Sequence, residues 1–168
     1  MGTLTGSTLG LIALLIGALF NAHLNRKRDD KLRDVDRVAV ASAIYAELTG
    51  VHRTLLENAK RLIDHPPPVG EGFVVPDLAH SVQVFSHMLP KIGLLRADTM
   101  RTVMDAYVLI EQYVEGLILL GGTMRPDMPE GRRAIYIDAE HAETVSAINQ
   151  VRAEGIKEAI DALAPYLR

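Results

Sequence analysis

The sequence predicts an all-α protein, with one N-terminal transmembrane helix followed by a long helix and an antiparallel helical bundle. Three observations predict this fold class. The stretch Gly2–Leu24 contains no charged residue, apolar residues then recur at helical spacing in several segments, and no long alternating strand pattern competes with them. A chain of 168 residues has room for an anchor and one folded domain.

The predicted anchor covers residues 1–25. About 20 apolar residues cross a bilayer, and the apolar core Leu9–Phe20 reaches that length with the polar but uncharged residues around it. Helix hydroxyls can bond backbone carbonyls, which makes Thr and Ser tolerable there. The lipid bilayer is therefore the first predicted partner.

Two other interpretations of the N-terminus fit less well. A cleaved signal peptide begins with a positive region and ends in small residues, whereas this tail has no charged side chain and Phe20 occupies the simplest cleavage position. A myristoylation signal needs Ser or Thr where this chain has Gly6.

The orientation follows from Arg26, Lys27 and Arg28, directly after the anchor. Short flanks rich in Lys and Arg stay in the cytoplasm, and these cations also suit anionic headgroups. The predicted location is the cell inner membrane, single-pass, with the N-terminus outside and the C-terminal domain cytoplasmic.

Small residues lie on one face of the anchor, at Gly6, Gly10, Ala13 and Gly17. Such a face lets another helix approach closely in the membrane. It predicts a homo-oligomer or a subunit of a larger membrane complex.

The rest of the chain divides into three parts. Residues 26–63 form the basic flank and a long amphipathic helix, residues 64–76 a Pro/Gly loop, and residues 77–168 the remaining helices of the bundle. Whether the long helix continues the membrane helix stays open. Its predicted buried stripe comprises Leu32, Val35, Ala39, Ile44, Leu48, Val51, Leu55 and Leu62.

Three further helices are predicted over residues 77–89, 97–120 and 138–163. The segments 73–75 and 134–137 look extended, but each is too short to form a sheet unaided. Between the last two helices, the loop 123–137 carries Arg125, Arg132 and Arg133 with two methionines. This is a possible partner loop, and a solvated loop is the alternative.

Candidate chemistry is sparse. Asp77/His80 and Asp138/His141 each place a carboxylate and an imidazole three residues apart, as in di-metal helical bundles. Capping at helix starts explains both aspartates equally well. The histidines 52, 80 and 87 and the serines 81 and 86 lack a recognisable catalytic pattern, so we predict no catalytic, cofactor-binding or metal-binding residue.

Composition excludes other classes. The net charge of −3 is small and mixed along the chain, which argues against a nucleic-acid partner. The chain has no cysteine, so disulfides, thiolate metal sites and thiol catalysis are all excluded.

The layout of anchor, basic flank and long helix, with the motifs Ile44–Leu48, Val84–Phe85 and Lys91–Leu95, resembles small single-pass bacterial inner-membrane proteins of unassigned function. The resemblance covers residues 37–113. It implies a helical fold and brings no catalytic residue or substrate.

The first functional hypothesis is a non-enzymatic, membrane-anchored accessory or scaffold subunit. The alternative is a membrane-tethered signalling or effector module whose bundle binds a small ligand or regulator. A metal-dependent enzyme is the remote alternative and depends on the two Asp-x-x-His pairs.

Overall fold

A computed structural model describes the backbone of residues 2–125 and 133–167, and the side chains in these ranges apart from residues 2–13 and Ser81. The fold is mostly helical and includes a small antiparallel sheet. Its elements are α1 (Gly2–Asp64), β1 (Gly72–Pro76), α2 (Leu78–Ser81), α3 (Val84–Met88), α4 (Ala97–Leu119), β2 (Thr123–Arg125), β3 (Ala134–Asp138) and α5 (Ala142–Leu163). Short 3₁₀ turns cover Leu89–Leu94, Ala139–His141 and Ala164–Leu167.

Helix α1 is unbroken over 63 residues, a length of about 95 Å at 1.5 Å per residue. The basic flank therefore lies in the same helix as the residues before it. Only the second half of α1 joins the bundle, where Ile44, Leu48 and Leu55 are buried as predicted. Leu32 and Val35, predicted for the same stripe, are exposed because the bundle does not extend along this part of α1. Ala39 is exposed too.

The bundle contains three long helices. The second half of α1 packs most extensively against α5, and α5 packs against α4. Ser146, near the start of α5, donates a 3.0 Å hydrogen bond to the carbonyl of Ala59, near the end of α1. These two helices are therefore antiparallel, which confirms the predicted helical bundle in outline.

The prediction of a purely helical domain is wrong in one respect. Strands β1, β3 and β2 form a sheet in that order, with both pairs antiparallel. The two segments judged too short to form a sheet pair with each other, so that Val75 lies opposite Ile135. Ile135 and Ile137 are fully buried against the helices, and this packing stabilises strands that would not hold alone.

Helix α4 ends where predicted, at two glycines. Gly121 adopts a positive φ of 88°, the Gly121 N–H donates to Ile118 and the Gly122 N–H donates to Leu117. This is the Schellman arrangement, in which glycine takes the left-handed position without a Cβ penalty. It turns the chain directly into β2.

The predicted helix 77–89 is divided. α2 ends where Val82 becomes extended, α3 begins at Val84, and a 3₁₀ turn follows at Leu89. Leu89, the last residue of the predicted helix, is exposed. The last predicted helix begins at Ala142 rather than Asp138, since Asp138 is the final residue of β3.

Candidate functional site

The first described part of α1 extends beyond most of the bundle, and we call residues 14–39 the projecting segment. Its apolar side chains are solvent-exposed, including Leu14 at 74%, Leu19 at 71% and Phe20 at 63%. Contacts with the bundle begin at Asp36, whose carboxylate forms a 3.2 Å ion pair with Lys91. The next residue, Arg37, donates a 3.0 Å hydrogen bond to the Leu94 carbonyl. Between Leu14 and Asp36, the exposed apolar side chains of α1 have no layer of the described chain to pack against.

Arg26, Lys27 and Arg28 follow the apolar part of the projecting segment and are exposed. Arg28 forms a loose ion pair with Asp29 at 3.8 Å, with both side chains well exposed. Such a pair contributes little to stability. The cations are therefore accessible to an outside partner.

The predicted small-residue face is described only at its end. A Cβ built on Gly17 meets nothing within 4 Å, so the surface there is open. Gly6, Gly10 and Ala13 lie outside the residues whose side chains are described. No helix in the part of the chain that the structure describes is long and apolar enough to cross a membrane.

The predicted arginine loop is partly a sheet. Arg125 ends β2 and lies 5.2 Å from the centre of the Tyr136 ring, a cation–π contact within the sheet. Arg133 is exposed, and its carbonyl accepts from the Asp77 N–H at 3.0 Å. Arg132 falls outside the described residues.

The two Asp-x-x-His pairs differ in whether the aspartate caps a helix. Asp77 caps α2, since its Oδ1 accepts from the His80 backbone N–H at 3.1 Å. Asp138 makes no side-chain cap, so capping does not explain it, and His141 instead lies 3.5 Å from Glu140. Across residues 2–125 and 133–167, no three His, Cys, Asp or Glu residues are grouped so that they could hold a metal ion.

The sequence did not predict the contacts of Glu47. Its Oε1 accepts from the backbone N–H groups of Gln83 at 2.7 Å and Val84 at 2.8 Å. Its Oε2 accepts from the Phe85 N–H at 3.1 Å and from the Tyr107 hydroxyl at 2.6 Å. The carboxylate thus caps α3 from another helix and links it to α4. Phe85 also stacks on Tyr107, with ring centroids 3.8 Å apart.

These contacts involve residues from two of the short motifs noted in the sequence. Glu47 belongs to the segment 44–48 and Phe85 to the pair 84–85, and both serve to fix α3 against α1 and α4. These motifs therefore have a structural explanation. The Glu47 carboxylate already accepts four hydrogen bonds and is therefore occupied by the fold.

Two tyrosines in the bundle hold their protons strongly. Burial, followed by the hydrogen bond to Glu47 and the charge of Glu47, raises the pKa of Tyr107 well above its usual range. Burial also raises the pKa of Tyr113, although the nearby Arg152 guanidinium opposes it. Both side chains therefore stay neutral in the folded protein where free tyrosine ionises.

We expect the bundle to lose stability above about pH 10, the pKa of tyrosine in the unfolded chain. The folded protein keeps the two protons that the unfolded chain releases, so the contribution is complete below pH 10 and falls as the pH rises beyond it. At pH 11 the loss should reach about 3 kcal/mol, at about 1.4 kcal/mol per pH unit for each group. Denaturation of the full chain in mild detergent at pH 9 and at pH 11 measures this difference in the free energy of unfolding. Tyr107→Phe should halve the difference, and an unchanged difference would contradict the assignment.

Comparison with protein-family models, with curated proteins and with solved structures finds no match to this chain.

Proposed function

We propose that this chain is a non-enzymatic, membrane-anchored accessory or scaffold subunit. The observation that carries the proposal is the architecture of α1. One helix without interruption holds an uncharged first part, three consecutive cations and a second half built into a folded bundle. A rigid connection of this kind fixes the bundle at a set distance from whatever holds the first part.

The bilayer is the proposed partner of residues 1–25. Leu14, Leu19 and Phe20 are exposed on a helix that no other layer covers, and a bilayer removes such side chains from water at about 25 cal/mol per Å². The first 13 residues of this segment lie outside the described side chains. Residues 26–35, before the first contact with the bundle at Asp36, then span about 15 Å at 1.5 Å per residue, which separates the bundle from the headgroups.

Arg26, Lys27 and Arg28 support a cytoplasmic bundle and an external N-terminus in the inner membrane. Each cation near an anionic leaflet contributes about 1 kcal/mol. Arg125 and Arg133, exposed near the sheet, are the proposed contacts of the bundle with another protein of the same complex.

Two measurements test this function. First, membranes of cells that express the tagged full chain are washed with alkaline carbonate, and the chain should stay in the pellet and leave it only in detergent. Replacing Leu14, Leu15 and Leu19 together with Ser should release it, whereas the same change at the exposed Leu56, Leu119 and Val151 should not. A wild-type chain that washes out with carbonate would refute the anchor.

Second, gentle detergent purification with mass analysis should give a stoichiometric partner or a defined oligomer. Reporter fusions at either end should place the C-terminus in the cytoplasm. A monomer without a partner would contradict the subunit function, even if the chain stays in the membrane.

A further inference from the structure

The projecting segment carries an apolar strip that its own bundle leaves uncovered. Leu32 is 58% exposed, Val35 59% and Val38 43%, and Ala39 is exposed beside them. The residues between them are charged. A solvated single helix gains nothing from apolar side chains at this spacing, whereas a helix that packs on another helix does.

Leu32, Val35 and Ala39 face away from the bundle, whereas Val38 lies beside the turn 94–96. In a heptad abcdefg, Leu32 and Ala39 take position a and Val35 takes position d. The residues that enter the bundle, Val40 and Ile44 among them, take b and f, on the opposite side of the helix. A second helix can therefore lie along Leu32 and Val35, with Lys91 of the bundle beside the strip only at Asp36.

We propose that a second copy of this chain lies parallel to the first along Leu32, Val35 and Ala39, as a short two-stranded coiled coil. This inference rests on the proposed function, because anchors in one bilayer make the two segments parallel and concentrate them. An interface formed by these few side chains is much smaller than the roughly 1,200 Å² of a stable interface. Pairing should therefore need the high local concentration that two anchors in one bilayer provide.

Charge supports a second copy and its direction. Lys31 takes position g and Asp36 position e on the two sides of the strip. In a parallel pair each Lys31 approaches the Asp36 of the other copy, which gives two attractive contacts. An antiparallel pair would bring like charges together instead, Lys31 against Lys31 or Asp36 against Asp29. The exposed pair of Asp36 with Lys91 is too weak to compete.

The strip continues the small-residue face of the proposed anchor. Val35 lies 18 residues beyond Gly17, which is about five turns at 3.6 residues per turn, so both lie on one side of the unbroken helix. Arg28 lies on the same side between them, where its long exposed side chain can turn toward lipid phosphates. One partner helix can therefore follow both surfaces.

The absence of cysteine from the chain permits a direct test. Val35→Cys in the full chain, in native membranes under mild oxidation, should form a disulfide-linked homodimer, because parallel d positions come within disulfide distance. Arg33→Cys, at position b, is the matched control and should give several-fold less dimer. Equal yields at both positions, or no dimer from Val35→Cys, would overturn the proposal.

Charge reversal tests the direction of pairing. In the Val35→Cys chain, Lys31→Glu should reduce the dimer several-fold, since the introduced carboxylate would face Asp36 of the other copy, and adding Asp36→Lys should restore it. A dimer unaffected by Lys31→Glu would overturn the parallel arrangement. A chain that stays in carbonate-washed membranes without the Val35→Cys preference refutes the pairing alone. A chain that washes out refutes the anchor on which the pairing rests.

Discussion

Glu47→Ala is expected to lower the free energy of unfolding by about 3 kcal/mol. The carboxylate accepts from three backbone N–H groups at the start of α3 and from the Tyr107 hydroxyl. Alanine leaves all four donors without this acceptor. Tyr107 is only 3% exposed, so water cannot easily take the place of the carboxylate at its hydroxyl. Loss of the cap should also loosen α3 and the stacked Phe85.

Urea denaturation of the full chain in mild detergent, followed by circular dichroism, measures this effect. Glu57→Ala is the matched control on the same helix, because Glu57 is exposed and forms a loose 4.0 Å pair with Arg53. That substitution should stay within about 0.5 kcal/mol of the wild type. If the two variants were equally stable, the cap would have no energetic importance.

A double-mutant cycle divides the contribution of Glu47. Tyr107→Phe removes only the hydroxyl and should cost about 1 kcal/mol, and the coupling between the two changes isolates the Glu47–Tyr107 hydrogen bond. The remainder of the Glu47→Ala effect belongs to the three backbone N–H groups.

The sequence predicted the positions of the long helices well, but it did not predict what each helix packs against. Spacing identified α4 and the buried residues of α1 from Ile44 onward, since burial and helical period coincide there. The same period at Leu32 and Val35 also indicated a helix, but spacing cannot tell whether a neighbour of the same chain or another molecule covers a stripe. That difference is the basis of the parallel pairing proposed above.

The sheet and the Glu47 cap were missed for a common reason. β1 and β3 pair across about 60 residues of chain, and Glu47 meets segment 83–85 from 36 to 38 residues away. Neither contact leaves a local pattern. A charged residue within a helical stretch is typical of a solvated face, so the sequence pattern did not indicate that Glu47 caps another helix.

A polar contact at the centre of the bundle should be almost as sensitive to truncation as the cap. Asn149 is fully buried and its Oδ1 accepts from the Tyr113 hydroxyl at 2.6 Å. Its Nδ2 has no hydrogen-bond partner within the described part of the chain. Asn149→Ala leaves the buried Tyr113 hydroxyl unpaired and adds a small cavity, at an expected cost of about 3 kcal/mol.

Replacing both Tyr113 and Asn149 with apolar residues should change the free energy of unfolding much less. Tyr113→Phe with Asn149→Leu removes every polar atom of the pair while roughly keeping its volume, and such apolar replacements are often neutral or stabilising. Urea denaturation of the full chain should therefore place this double variant within about 1 kcal/mol of the wild type, and above Asn149→Ala. If the double variant were less stable than Asn149→Ala, the pair would itself stabilise the bundle. The result expected here means that the pair instead fixes how α4 and α5 align, since the Tyr113 hydroxyl finds its acceptor only when Asn149 lies opposite.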